Sequence, residues 1–380
     1  IFLTLPFEPW RVFAVSAFGA IGIAVLMLSA LIRTVRAFGD IKRPSCTDIR
    51  TILRARRDDG QTAKRVLIVS TLPPFTRNLV WAAGHAGMRC DVVTDSAHAS
   101  WSKLAHVDRI IRVPIERVAA CDSTLLAEVF AQLPKGYSAV LAPGDTRCTR
   151  LIHCMTAPLP SGIVLFPQPD ANAFERLYDK GTFAAALAEL GLPHPRTHVV
   201  RSIGELDACA LSYPAIAKPV NSEGSFGFPL LETREDLGKQ IEAMGLSADT
   251  PVLVQSHITG DDIDMSLLAD RGRIVAWTIQ QRLSDESMRF VERPDVFDAC
   301  ARLVAATDYH GVMHVDLRID SRDDVLYFIE ANPRFWGSLC YSTWADVNFL
   351  SLGMKLALGE EFRVPVRAIT GVYPYLAVTR

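Results

Sequence analysis

Four polar side chains stand where an apolar strand runs out. Glu330, Asn332 and Arg334 lie in FIEANPRFWGS (328–338), and Asp316 lies in GVMHVDLRID (311–320) just before it. In the second stretch Met313, Val315, Leu317 and Ile319 alternate with His314, Asp316, Arg318 and Asp320. That is the period of a strand with one buried and one polar face. SRDD then makes a turn and VLYFIE returns. An antiparallel hairpin closed by a three-residue loop at 322–324 sets Asp316 opposite Glu330, with Asn332 following on the same face. Directly opposed residues have Cβ atoms about 4.5–5.5 Å apart, and two carboxylates that close repel unless a cation lies between them. Two acids and an amide oxygen are hard donors suited to Mg²⁺ together with phosphate oxygens. Arg334 adds a planar donor fork for a phosphoryl or carboxylate oxygen. The competing account is a structural cluster of Arg318 and Arg334 with the two acids.

A second feature fits the same chemistry. Lys218 is the one lysine of an apolar strand, YPAIAKPV (213–220), and NSEGSFGF (221–228) follows directly. A lysine beside a pliable loop of backbone N–H groups makes a phosphate clamp, with Gly224, Ser225 and Gly227 letting the loop close. A lone lysine that snorkels to the surface is the plainer alternative. His310 and His314 are four apart and invite a zinc reading, but along a strand that spacing is about 13 Å. One ion cannot span it, and a core or supporting role is expected for both.

The elements that must position these groups follow from the hydrophobic pattern. RVLIVS (65–70), RCDVVTD (89–95), RIIRVP (109–114) and YSAVLAPGD (137–145) read as buried strands, with a turn at Pro73-Pro74 and a helix through Asn78–Ala86. Strands alternating with helical stretches predict a parallel α/β layer. STLPPFTRN after the first strand holds no glycine, which argues against dinucleotide binding there, and no P-loop motif occurs. FERLYDKGTFAAALAELGLPHP predicts one helix, ended by Gly191 and Pro193. TPVLVQSHITGDD, DMSLLAD and RIVAWTIQQ are further strands, the last two joined by a turn at Arg271-Gly272.

Composition narrows the class. The net charge of −2 over 380 residues offers no nucleic-acid surface. Eight cysteines at irregular spacing, with no C-x-x-C, read as reduced core thiols. Val12 to Ile32 is a run of 21 uncharged residues between Arg11 and Arg33, about the length needed to span a bilayer. The basic residues after it (Arg33, Arg36, Lys42, Arg43, Arg50) place the C-terminal part in the cytoplasm by the positive-inside rule. The expected organisation is therefore a membrane anchor over 1–39 with a single transmembrane helix at 12–32. A charged linker over 40–63 follows, then an α/β domain over 64–170 and a second domain over 171–380.

The order of these motifs resembles the ATP-grasp superfamily, and most closely the carboxylate–amine ligases whose ATP-grasp domain is similar to that of the carbamoyl-phosphate synthase large chain. The matching motifs run from Lys64 to about Ser338. The resemblance implies an α+β ATP-grasp fold behind a Rossmann-like pre-ATP-grasp domain, with a lid at about 195–256. It also implies ATP and Mg²⁺ as cofactors, two ions in number, with Mn²⁺ as the alternative ion. By the same resemblance Lys180 in YDKGTF contacts the nucleotide, Lys218 contacts its α- and β-phosphates, and Gly224, Ser225 and Gly227 form the mobile loop. Gln255 and Ile258 contact adenosine; Asp316, Glu330 and Asn332 bind the metal; Arg334 and Lys218 are the catalytic groups. Glutamine at 255 departs from the glutamate of many relatives but still bonds a ribose hydroxyl, and the loop is poorer in glycine. Arg282, Glu292 and Arg293 fall where relatives bind their acceptor, against the plainer reading of a solvated loop. The implied activity is activation of a carboxylate as an acyl phosphate and its ligation to an amine. A carbamoyl-phosphate-like or thiol-ligating reaction, and a non-catalytic membrane-tethered nucleotide-binding protein, are the alternatives. Small-molecule carboxylate and amine substrates are the expected partners, with no nucleic acid, and a homodimer is left open.

Overall fold

A computed structural model describes residues 64–95, 106–220, 228–247 and 250–374, all within one unit, Pro44–Arg380. Its first sheet is formed by β1 (Arg65–Val69), β2 (Arg89–Thr94), β3 (Val107–Arg112), β4 (Ala139–Pro143) and β5 (Ile163–Leu165). They lie in the order β3-β2-β1-β4-β5, every pair parallel. Parallel strands are buried on both faces, so they read as continuous apolar runs. Val66 and Ile68 face one core cluster and Leu67 and Val69 the other. The helices of this layer are α1 (Pro73–His85), α2 (Ile115–Ala119), α3 (Leu125–Ala131) and α4 (Thr146–His153). Pro73 and Pro74 open α1 instead of forming a turn before it, because the first helical turn needs no proline N–H.

Two short helices follow, α5 (Ala171–Tyr178) and α6 (Lys180–Glu189), where one was expected. Asp179 breaks the run. Its backbone is extended and its carboxylate accepts from the N–H groups of Gly181 and Thr182, capping α6. The break leaves Lys180 as the first residue of a capped helix.

A three-stranded antiparallel sheet, β6 (Thr197–Val200), β7 (Ala215–Pro219) and β8 (Val252–Ser256), has the order β6-β8-β7. One face (Val200, Ala217, Val252, Val254) packs with Leu237 and Ile241 of α7 (Arg234–Ala243). Lys218 and Gln255 belong to the opposite face by alternation.

The last sheet contains β9 (Gly260–Asp270), β10 (Arg273–Arg282), β11 (Met288–Phe290), β12 (Gly311–Asp320), β13 (Leu326–Asn332), β14 (Val366–Arg367) and β15 (Gly371–Tyr373). Its order is β13-β12-β9-β10-β11-β15, with β14 beside β10. Helix α8 (Pro294–Ala306) packs Val296, Cys300, Leu303 and Val304 with Met265, Leu267, Met313 and Val315 of the sheet. After β13 come α9 (Leu339–Trp344) and α10 (Phe349–Ala357). Leu339, Phe349 and Leu350 share a core with Val66 and Ile68 of β1 and Leu268 of β9. That core joins the parallel layer to the large sheet.

The expectation of a membrane-anchored protein is not upheld. Among the described residues no helix is long and apolar enough to cross a membrane. The longest, α1 and α8, have 13 residues, against about 20 for a span. Residues 12–32 and 40–63 lie outside the described residues. The fold class is corrected to the α/β architecture above with no membrane span in it, and the membrane partner and the tethered localisation are given up with it.

Candidate active site

The hairpin of β12 and β13 sets the site. Near its turn Ile319 pairs with Leu326, Arg318 with Tyr327 and Leu317 with Phe328. Continued unbroken, that register would put Asp316 opposite Ile329. A bulge intervenes between Asp316 and Leu317, and Asp316 pairs with Glu330. The extra residue in β13 also changes the phase of alternation. Phe328 and Ala331 thereby point into the same core, while Glu330 and Asn332 share the polar face. The expected pairing of the two acids is present, through a bulge and a longer turn rather than a three-residue loop.

Asn332 ties the acids together. Its Nδ2 donates to Asp316 Oδ2 at 3.0 Å and to Glu330 Oε1 at 3.3 Å. Its Oδ1 accepts from Arg334 Nη2 at 2.8 Å. Arg334 is buried, donates from Nε to Thr146 Oγ1 at 3.1 Å and from Nη1 to the Phe335 carbonyl at 2.9 Å, and lies 4.9 Å from the Phe75 ring centre. The guanidinium is thus held between the hairpin and the C-terminal edge of the parallel sheet. Asp145 fixes that edge: Oδ2 accepts from the Thr71 N–H at 2.6 Å, the Leu72 N–H at 3.1 Å and Ser70 Oγ at 3.0 Å, and Oδ1 caps α4 through Cys148 N–H.

Both lysines converge on the same acids. Lys180 Nζ lies 3.4 Å from Glu330 Oε2 and is buried. Lys218 is 4 % exposed. Burial pulls its pKa from 10.5 down to about 8 against the opposing charge of Glu330; Lys180 lowers it further and Asp316 raises it. The three-stranded sheet and α6 meet closely here, since a Cβ on Gly181 would come 2.7 Å from Val199 Cγ2 of β6. Gln255 is buried and donates to Thr197 Oγ1 at 2.9 Å; Ile258 is buried just beyond β8. Gly224, Ser225 and Gly227 lie outside the described residues.

Several expectations end elsewhere. Arg318 turns to Asp262 at 3.3 Å and to the Gly260 carbonyl, not to Asp316, so the structural cluster of two arginines does not form. Glu292 pairs with Arg367 and Arg293 with Asp295 beside a separate cavity of about 180 Å³, and Arg282 pairs with Glu286. His310 sits near Asp270, apart from His314. A cavity of about 580 Å³ lined by Lys64, Arg65, Arg89, Arg109 and Tyr137 opens where β1, β2 and β4 begin, the edge opposite to Asp145 and Arg334. The convergence of side chains, not cavity size, marks the site.

Residues that sequence reasoning missed complete the polar face. Across the strands Asp264 pairs with Asp316, so Asp264, Asp316 and Glu330 form one row. In the next row Ser266, His314 and Asn332 stand together. His314 Nδ1 meets Ser266 Oγ at 2.9 Å, and Gln280 Nε2 donates to that oxygen at 2.9 Å. His314 Nε2 lies 3.1 Å from Asp316 Oδ1 and 4.0 Å from Asp264 Oδ2, with the Trp336 ring stacked at 5.5 Å. Burial raises the Asp264 carboxyl to about 7, partly offset by His314. Burial also opposes charge on His314 and Asp316, but their mutual attraction outweighs it: the imidazole is raised and the Asp316 carboxyl lowered. Polar alternation in DDIDMS was a readable signal for Asp264 and Ser266.

Comparison with known proteins finds two family models that each match part of the chain. A family model described as "ATP-grasp in the biosynthetic pathway with Ter operon" matches residues 248–375, and "D-ala D-ala ligase C-terminus" matches residues 195–294. Over residues 248–375 the chain is thus similar to ATP-grasp proteins. Solved ATP-grasp structures agree in fold. An L-amino acid ligase from Bacillus licheniformis is 17 % identical with a TM-score of 0.58, over 78 % of this chain and 74 % of that one. N5-carboxyaminoimidazole synthetase from Staphylococcus aureus with ADP is 15 % identical with a TM-score of 0.62, over 81 % and 80 %. The biotin carboxylase domain of Hydrogenobacter thermophilus 2-oxoglutarate carboxylase, with MgADP, ADP and bicarbonate, is 17 % identical with a TM-score of 0.60, over 80 % and 72 %. At these identities the likeness is one of fold.

Proposed function

We propose that this protein is an ATP- and Mg²⁺-dependent ligase that activates a carboxylate and joins it to an amine. The observation that carries the reading is the convergence of Lys180 of α6, Lys218 of β7, Asp316 of β12, Glu330 and Asn332 of β13, and Arg334 just beyond it, on one polar patch. The donor set fits Mg²⁺: two facing carboxylates and an amide within hydrogen-bond reach of both. Asp316 and Glu330 would hold the ion, two ions being the expectation, with Asn332. Its amide now turns nitrogen to the acids, and half a turn about its last bond would present the oxygen instead. An ion held there would supply positive charge against the phosphate oxygens.

The residues divide the remaining work. Lys218 and Lys180 bind phosphate oxygens, and phosphate in turn replaces the solvation that Lys218 lacks. Gln255 and Ile258 receive the adenosine. Arg334, already rigid, offers charge to the transferring phosphoryl group or the donor carboxylate. A carboxylate oxygen attacks the γ-phosphorus, the bond to the β-phosphate oxygen breaks and ADP leaves. The amine nitrogen then attacks the acyl carbon, phosphate departs and the nitrogen loses its proton. ADP release from Mg·ATP, measured over pools of amino acids and other carboxylates with hydroxylamine present, tests the proposal. Carboxylate-dependent ADP with a hydroxamate product is expected; nucleotide binding with no turnover in any pool refutes it.

A further inference from the structure

Asp264 and His314 are left over once the ligase roles are assigned, yet both face the reacting groups. Three donor atoms of Asp264, His314 and Asp316 lie within 4.8 Å of one another. They come from two adjacent strands whose register makes Asp264 the direct neighbour of Asp316. Both carboxylates face His314 Nε2, Asp316 Oδ1 at 3.1 Å and Asp264 Oδ2 at 4.0 Å, so one centre lies within reach of all three groups. His314 is 9 % exposed, and its ring is fixed on every side. Ser266 Oγ engages Nδ1, Gln280 holds that hydroxyl, Thr278 Oγ1 donates to Gln280 Oε1 at 2.7 Å, and Trp336 covers the face. Nε2 is the nitrogen that remains, and it points at the two carboxylates. An imidazole held through its distal nitrogen by a chain of hydroxyl and amide groups has the arrangement that orients metal-ligating histidines.

We propose that Asp264, His314 and Asp316 form a seat for a first-row transition cation, Mn²⁺ being the probe, which binds without nucleotide and shares Asp316 with the Mg·ATP position. One imidazole nitrogen with two carboxylates favours such an ion over Mg²⁺ and Ca²⁺, which take oxygen donors. The seat differs from the Mg·ATP ions in its donors and in needing no phosphate. It rests on the proposed function only through Asp316.

The test is Mn²⁺ alone added to the nucleotide-free chain, with bound ion counted by electron paramagnetic resonance and its ligands read by electron spin echo modulation. One Mn²⁺ per chain is expected, carrying an imidazole ¹⁴N coupling. Asp264→Asn should weaken it at least tenfold, and His314→Gln should remove the ¹⁴N signal. Glu330→Gln, which alters the neighbouring position, should retain the ¹⁴N coupling. Bound Mn²⁺ in the unaltered chain without ¹⁴N coupling overturns the proposal whatever the variants do, and so does affinity unchanged in Asp264→Asn. Failure of the ligase reading would instead show as absent Mg·ADP binding, measured separately, with the Mn²⁺ signal intact.

Discussion

Lys218 should be a group that the empty protein would fold better without. Its pKa falls from 10.5 to about 8 because the ammonium is buried in β7. At about 1.4 kcal/mol per pH unit, keeping it charged in the folded chain costs on the order of 3 kcal/mol. The folded value lies below the unfolded one, so between pH 8 and 10.5 the unfolded chain binds the extra proton and stability rises with pH. Below pH 8 the cost is present in full. Lys218→Met keeps the aliphatic stem and removes the charge. At pH 7 the variant should therefore be more stable than the parent by up to about 3 kcal/mol. The gap should narrow steadily from pH 8 to pH 10. Urea unfolding at pH 7, 8, 9 and 10 measures it directly. Addition of Mg·ADP should reverse the order at pH 7, since only the parent gains a phosphate partner for the lysine. A variant less stable than the parent at pH 7, or a gap that does not change with pH, would refute the reasoning.

Three further outcomes follow from the same geometry. Arg334→Ala should abolish ligation while nucleotide affinity, read by calorimetry, stays within a few fold, because the guanidinium lies on the parallel-sheet side of the acids. Glu330→Gln should weaken Mg·ATP binding by tenfold or more and raise the Mg²⁺ concentration at half-saturation; an unaltered metal dependence contradicts the hairpin reading. Asp145→Ala removes an acceptor of four hydrogen bonds of 3.1 Å or shorter and of a longer fifth from Thr71 Oγ1. At about 1 kcal/mol each it should destabilise the chain by on the order of 3–4 kcal/mol, read from the urea midpoint at constant slope.

The facing of Asp316 and Glu330 was legible because alternation in HVDLRID and the return of VLYFIE constrain the hairpin locally. The route to it was not. Nothing in the residue type of Ile329 marks a bulge, and the turn is longer than three residues. Asp264 was hidden for a different reason. Its own alternation was visible, but its place beside Asp316 depends on β9 pairing with β12 across some fifty residues of chain. Such strand order is set by the whole sheet and its packing against α8. Local capping decided two other cases: Asp179 divides α5 from α6, and Pro73 and Pro74 begin α1. The uncharged apolar run at 12–32 and its basic flank suggested a membrane span; the run lies outside the described residues, and the described helices supply none.

The most direct test of the ligase account is transfer of oxygen from the donor to phosphate. A donor carboxylate labelled with ¹⁸O is incubated with Mg·ATP and an amine acceptor, and the released phosphate is weighed by mass spectrometry. Attack of the carboxylate on the γ-phosphorus predicts one ¹⁸O in each phosphate and one lost from each amide. Amide formed with unlabelled phosphate would contradict it.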